Sequence, residues 1–222
     1  MIESFGRRLR LVMGLSTDEP EVEPEPVTPL LPEVVFIAYG EDCMLTGRIR
    51  MDTARLTDLL NQHDEFELVD VEVASLSEER VFEVKDVIVN RDELLLVHAL
   101  GPRGEPGRRT RTRQHPLAMQ IGPYHVRGYL HALPGSDPIS ALGRRQPMVP
   151  LTDAWIEYEQ VDVHQRRRVT TLIVNRHLLD WAVEAEDDEV EMPDLPLGLE
   201  HGPLVKDFTG LVRSAPVSDR LE

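Results

Sequence analysis

The tetrapeptide Ile-Val-Asn-Arg occurs twice, as Ile88-Val89-Asn90-Arg91 and Ile173-Val174-Asn175-Arg176, and each copy ends the same series of features. A Gly-x-hydrophobic-x piece opens each series (Gly47-Arg48-Ile49-Arg50 and Gly128-Tyr129-Leu130-His131), and a short helix-like insert follows. Next comes a hydrophobic stretch holding one aspartate, Asp70 in the first series and Asp153 in the second. The copies are offset by 81 residues at the glycines, 83 at the aspartates and 85 at the asparagines, a drift that small loop insertions produce. Self-similarity at a near-constant period marks a duplicated structural unit. The chain is therefore expected to fold as two like units in tandem.

In the first unit, about residues 34–99, a strand at 34–39, a turn at Gly40-Glu41-Asp42 and a return strand at 44–51 make a hairpin. Asp52 or Thr53 is placed to cap a helix whose Leu56, Leu59 and Leu60 form one apolar side. Strands at 66–76, 81–84 with 87–89, and 94–97 complete the unit. The second unit, about residues 118–183, has a strand at 124–133 around Gly128 and a helix started by Asp137 and Pro138. Paired strands at 155–158 and 169–174 and a closing strand at 178–183 follow. About five antiparallel strands and one short helix over ~65 residues bury an apolar face best by curling into a barrel or closing on a twin. The fold class expected is mainly β with short helices: two duplicated small antiparallel β-barrel or sheet domains, related by a pseudo-twofold.

The flanks differ in composition. Residues 1–15 can form a helix with Ile2, Phe5, Leu9, Val12 and Met13 on one face and Arg7, Arg8 and Arg10 mostly away from it. That basic amphipathic pattern suits an anionic membrane surface or a partner's groove, with Phe5, Arg7, Arg8, Leu9, Arg10, Val12 and Met13 as the contact set. Residues 16–33 are a Pro/Glu linker with acids at Asp18, Glu19, Glu21, Glu23, Glu25 and Glu33, expected to be extended and solvated. Residues 100–117 read as a Gly/Pro/Arg linker between the units, and residues 184–222 as an acidic, disordered tail. No apolar run approaches the ~20 residues that span a bilayer, and no signal-peptide pattern follows Met1. The expected setting is cytoplasmic, with peripheral membrane contact through residues 1–15.

Chemistry is sparse in this sequence. The net charge of −16 repels nucleic acid, so a polyanion is confined to the arginine-rich strip between residues 101 and 127. Cys43 is the one cysteine, which leaves no intrachain disulfide and no cysteine cluster for zinc. His125 and His131 share a strand face but lie ~20 Å apart by strand rise, too far to share a metal. Neither a Gly-x-Ser-x-Gly elbow, a P-loop nor a His-Glu-x-x-His pair is present. The reading is a protein without catalytic residues, metal or cofactor, working through a protein partner, with its oligomeric state open. Asn90 with Arg91 and Asn175 with Arg176 are either two equivalent ligand sites or strand corners where Asn bonds nearby backbone and Arg pairs with an acid.

Two resemblances add to this reading. Arg109-Thr110-Arg111-Thr112-Arg113 has the Arg-x-x-x-Arg spacing of the opening motif of PilZ domains, small β-barrels that bind cyclic di-GMP. The family's second motif has its nearest match at Ser140-Ala141-Leu142-Gly143, with Pro138 where an acid or amide would stand. That resemblance implies a cyclic-dinucleotide site at Arg109, Arg111 and Arg113. Each unit also resembles an Sm-like domain, through Tyr39-Gly40, Gly47-Arg48-Ile49, Leu68-Val69-Asp70 and the hydrophobic-Asn-Arg strand, over ~65 residues per copy. This implies a small barrel, with RNA contacts at Asn90, Arg91, Asn175 and Arg176 where the family carries Arg-Gly. The family's Asp-x-x-Met-Asn is absent, displaced by the helical insert. The expected function is a non-enzymatic interaction or regulatory adaptor, with a cyclic-dinucleotide sensor and an RNA binder as alternatives.

Overall fold

Strict alternation of buried and open residues, as at Tyr124, Val126, Gly128, Leu130 and Ala132 against the residues between them, makes strands the dominant element. A computed structural model of the chain describes residues 31–101 and 111–190. The N-terminal contact set (Phe5, Arg7, Arg8, Leu9, Arg10, Val12, Met13), the Pro/Glu linker up to residue 30, Arg109, and the tail from residue 191 lie outside the described residues. The strands are β1 (Glu33–Tyr39), β2 (Cys43–Arg50), β3 (Glu65–Ser75), β4 (Val81–Asn90), β5 (Leu96–Ala99), β6 (Arg113–Ile121), β7 (Tyr124–Ala132), β8 (Met148–Gln160), β9 (Val163–Asn175) and β10 (Trp181–Glu184). Three short α-helices accompany them among the described residues: α1 (Leu56–Gln62), α2 (Pro138–Gly143) and α3 (Asp187–Val190).

The ten strands of the described residues lie in one antiparallel sheet, ordered β10-β6-β7-β8-β9-β5-β1-β2-β3-β4. The fold is mainly β, and its strand order corrects two expectations. The sheet is open, ending at β10 and β4, where two closed barrels were one expectation. The order β5-β1-β2-β3-β4 recurs as β10-β6-β7-β8-β9, and the two runs join head to tail, the fifth strand of the first meeting the fourth strand of the second. A pseudo-twofold would place like strand against like, so the join is heterologous instead. At this seam Leu96 faces Val174, Val97 faces Ile173 and His98 faces Leu172.

The repeated glycines and aspartates mark a bulge in each half. Asp70 and Asp153 hold φ of 50° and 47°, and the facing strands shift register between Thr46 and Arg48 and between Arg127 and Tyr129. Gly47 and Gly128 fill those shifts. A Cβ on Gly128 would sit 2.9 Å from the Ala154 Cβ, and one on Gly47 3.0 Å from the Val71 Cγ2. Bulges of this kind bend a strand and raise its twist.

Two apolar cores result, and each crosses the seam. One gathers the second run's residues with Ile37, Tyr39, Leu95 and Leu96 of the first. The other gathers the first run's with Met148 and Ile173. Tyr39, Tyr124 and Tyr158 pack against one another edge to face or tilted, with centroids 5.5–5.9 Å apart, and the Tyr124 hydroxyl donates to the Gly40 carbonyl at 2.8 Å. Burial raises all three phenols, Tyr158 to about 12. Burial, helped by Asp42, likewise pushes the Cys43 thiol up to about 11.

Local details depart from expectation in two places. Arg55, with no side-chain cap, precedes α1, while Thr53 Oγ1 donates to the Arg55 carbonyl and Asp52 sits 3.2 Å from His63. Residues 113–117, read as linker, belong to β6. Pro116 is tolerated there because β10 ends beside it, and the Ala185 amide donates to its carbonyl at 3.0 Å. Asp137 does cap α2, accepting from the Ser140 amide at 2.6 Å with Pro138 in the first turn.

Candidate functional site

Ala154, Ile156 and Tyr158 point from β8 into a core, so alternation sends Trp155 and Glu157 to the opposite face of the sheet. Cross-strand register then fixes their neighbours. Arg127 on β7 and Arg168 on β9 flank Trp155, and His125 and Arg166 flank Glu157. The Arg166 guanidinium carbon lies 4.5 Å from the Trp155 ring centroid and that of Arg168 5.8 Å. Guanidinium groups over an indole are held by attraction to the ring's negative face. Glu157 forms an ion pair with Arg166, Oε1 lying 3.2 Å from Nε between two largely covered side chains, which steadies that stack. At the edge of this face, the rings of His125 and Trp181 are 6.5 Å apart.

The four-residue helix α3, of sequence Asp-Asp-Glu-Val, packs against β6, β7 and β8. Trp155 Nε1 donates to the Val190 carbonyl at 3.1 Å, and Val190 is buried. The face thus combines an indole N–H that takes a main-chain carbonyl with arginines suited to carboxylates.

Sequence reasoning missed this site. The available signal was Arg166-Arg167-Arg168 within a strand next to one carrying Trp155. Alternation puts the outer two arginines on one face and Arg167 on the other, where it lies 6.0 Å from the Tyr158 ring.

The residues singled out from sequence fall elsewhere. Arg111 and Arg113 are exposed, Arg113 opening β6 opposite Ala132. Beside them His131 bonds Thr112 at 3.2 Å and Thr152 at 2.9 Å, and the Arg145 guanidinium donates to the His131 carbonyl. Desolvation, with Arg145 nearby and opposed by Asp153, lowers the His131 pKa. Asn90 and Asn175 close β4 and β9, each accepting from the amide two residues on, Asp92 at 2.8 Å and His177 at 3.2 Å. Arg91 pairs with Asp64 and Asp92, both at 2.8 Å, and Arg176 donates to the Arg145 carbonyl at 2.5 Å. These four residues are thus engaged within the fold, Asn175 also donating to the Leu94 carbonyl.

A groove of about 220 Å³ in the first run is rimmed by Arg48, Arg50, Asp52, His63, Glu65 and Glu67. Among the described residues, no three His, Cys, Asp or Glu side chains are placed to hold a metal, and no helix is long and apolar enough to cross a membrane. Comparison with protein-family models, with curated proteins and with solved structures gives no match.

Proposed function

We propose that this chain is a non-catalytic adaptor built on two Sm-like β-units, and that the Trp155 face of the second unit binds an acidic peptide segment. The observation that carries the reading is the Trp155 Nε1 bond to the Val190 carbonyl, which seats an acidic turn on the side of the sheet bearing Arg166 and Arg168. A main-chain carbonyl is common to every peptide, so the indole fixes the backbone while the guanidinium groups select carboxylates. The chain's own α3 occupies the face in cis, and a partner's acidic segment competes for it. Residues 1–15, through Phe5, Arg7, Arg8, Leu9, Arg10, Val12 and Met13, supply a second contact, with a membrane surface or another partner.

The test uses the full chain with Asp187→Lys, Asp188→Lys and Glu189→Lys, in a Trp181→Phe background so that Trp155 alone reports. A synthetic peptide of residues 184–194 should bind this chain, weaken as salt rises, and lose binding when Arg166→Gln and Arg168→Gln are added. If the peptide does not bind and Trp155 emission ignores the lysine substitutions, the reading fails. Calorimetry with cyclic di-GMP addresses the competing assignment to Arg109, Arg111 and Arg113. An RNA-binding role would instead give steeply salt-dependent affinity that falls on replacing the same arginines.

A further inference from the structure

We propose that copies of this chain associate head to tail, β4 of one copy pairing with β10 of the next. The template is the seam inside each chain. There the fourth strand of the second run, β9, pairs with the fifth strand of the first, β5. The two ends of the sheet are the fourth strand of the first run and the fifth strand of the second, the same two kinds of edge, each with no strand on its outer side among the described residues.

Repeat equivalence gives the register. Asn90 corresponds to Asn175, so Val87, Ile88 and Val89 correspond to Leu172, Ile173 and Val174. Leu96 pairs with Tyr39 as Trp181 pairs with Gln120, so Trp181, Ala182 and Val183 correspond to Leu96, Val97 and His98. Transferring the seam onto the free edges sets Val89 against Trp181, Ile88 against Ala182 and Val87 against Val183 of the partner subunit.

Three observations favour an occupant of this kind. The first is burial. Ile173 and Leu96 are 0% exposed at the seam, whereas Ile88 is 43%, Trp181 46% and Val183 51% exposed. Exposed edges are ordinarily blunted by charge or proline; Glu83, Lys85 and Asp86 do this for the first part of β4, but the stretches 87–89 and 181–183 are apolar. The second is the direction of the amides. Arg91 donates to Asp64 and Ala185 to Pro116, so by alternation the amides of Ile88 and Ala182 point outward from the sheet. Their counterparts Ile173 and Val97 face each other across the seam. The third is Asn90, whose counterpart Asn175 donates across the seam to Leu94; Asn90 is placed to reach Leu179 of the partner subunit. One step further, Glu184 of the partner subunit would meet Asp86, a like-charged pair that limits the strength of the contact. Because the contact is heterologous, it generates a closed ring or an open chain of copies.

The proposal is independent of the Trp155 reading and is tested by light scattering on the full chain. The unaltered chain should grow in mass as concentration rises. Ile88→Pro and Ala182→Pro each remove one outward amide, and each chain alone should be monomeric. An equimolar mixture keeps one good β4 and one good β10, so its mass should double and then stop. Should a proline variant lose its far-UV spectrum, Ile88→Lys and Trp181→Lys carry the same test with the backbone intact. A wild-type chain that stays monomeric at every concentration overturns the proposal. So does a singly substituted chain that self-associates as fully as wild type, because an edge would then be pairing with its own kind.

Discussion

Asn175 on β9 and Leu94 are 81 residues apart in the chain and joined across the seam, the Asn175 Nδ2 donating to the Leu94 carbonyl at 3.1 Å. Asn175 is 1% exposed and also accepts from the His177 amide. Asn175→Ala strands both groups, at a cost of about 1–3 kcal/mol. Asn90 makes only the local bond to Asp92 and is partly open to solvent, so Asn90→Ala costs about 0.5–1.5 kcal/mol. Urea unfolding at low protein concentration should rank the two in that order. Equal midpoints would mean that the seam bond adds nothing.

Gly128 is the tighter of the two bulge glycines. Its Cβ would meet both the Cβ and the backbone of Ala154, whereas at Gly47 the nearest atom is a Val71 methyl. Gly128→Ala should lower stability by about 1–3 kcal/mol, the usual cost of overpacking, and more than Gly47→Ala does. Thermal unfolding of the two variants checks the ranking.

Acid should weaken the fold through two histidines. Burial, then Arg167, lowers the pKa of His98 at the seam, and burial, then Arg145, lowers that of His131. The unfolded chain therefore binds more protons below its imidazole pKa of ~6.5, and stability rises with pH there. It is fully present above that value and is lost as pH falls from it toward the lower folded values. Thermal midpoints should drop between about pH 7.5 and pH 5.5, and His98→Gln with His131→Gln should flatten the drop. A flat profile in the unaltered chain contradicts the assignment.

Membrane docking by residues 1–15 makes a simple prediction. The full chain should float with anionic vesicles and a chain beginning at Ser16 should not, with flotation reduced by salt. If both chains float, the contact lies elsewhere. If neither does, the segment docks on a protein or within the fold.

The repeat was legible because Gly47, Asp70 and Asn90, like their counterparts, occupy positions where geometry leaves few alternatives: a crowded bulge, a positive φ and a strand corner. β6 was hidden by composition, since Pro116 and the arginines before it look like linker, and the strand tolerates them only because β10 is short. The continuous sheet was hidden for another reason. Leu96 and Val174 carry no mark of their pairing, and buried Leu and Val look alike whether they close a barrel or a seam. The Trp155 face escaped because it needs three strands in register before its arginines and indole become neighbours.

The seam has a kinetic consequence. Joining Ala99 to Arg113 within one chain turns a meeting between two bodies into a unimolecular step, governed by an effective concentration that the connecting segment sets. Dilution can therefore separate the copies at β4 and β10 without ever parting β5 from β9. A bond of one design would work in two regimes, permanent within the chain and adjustable between chains.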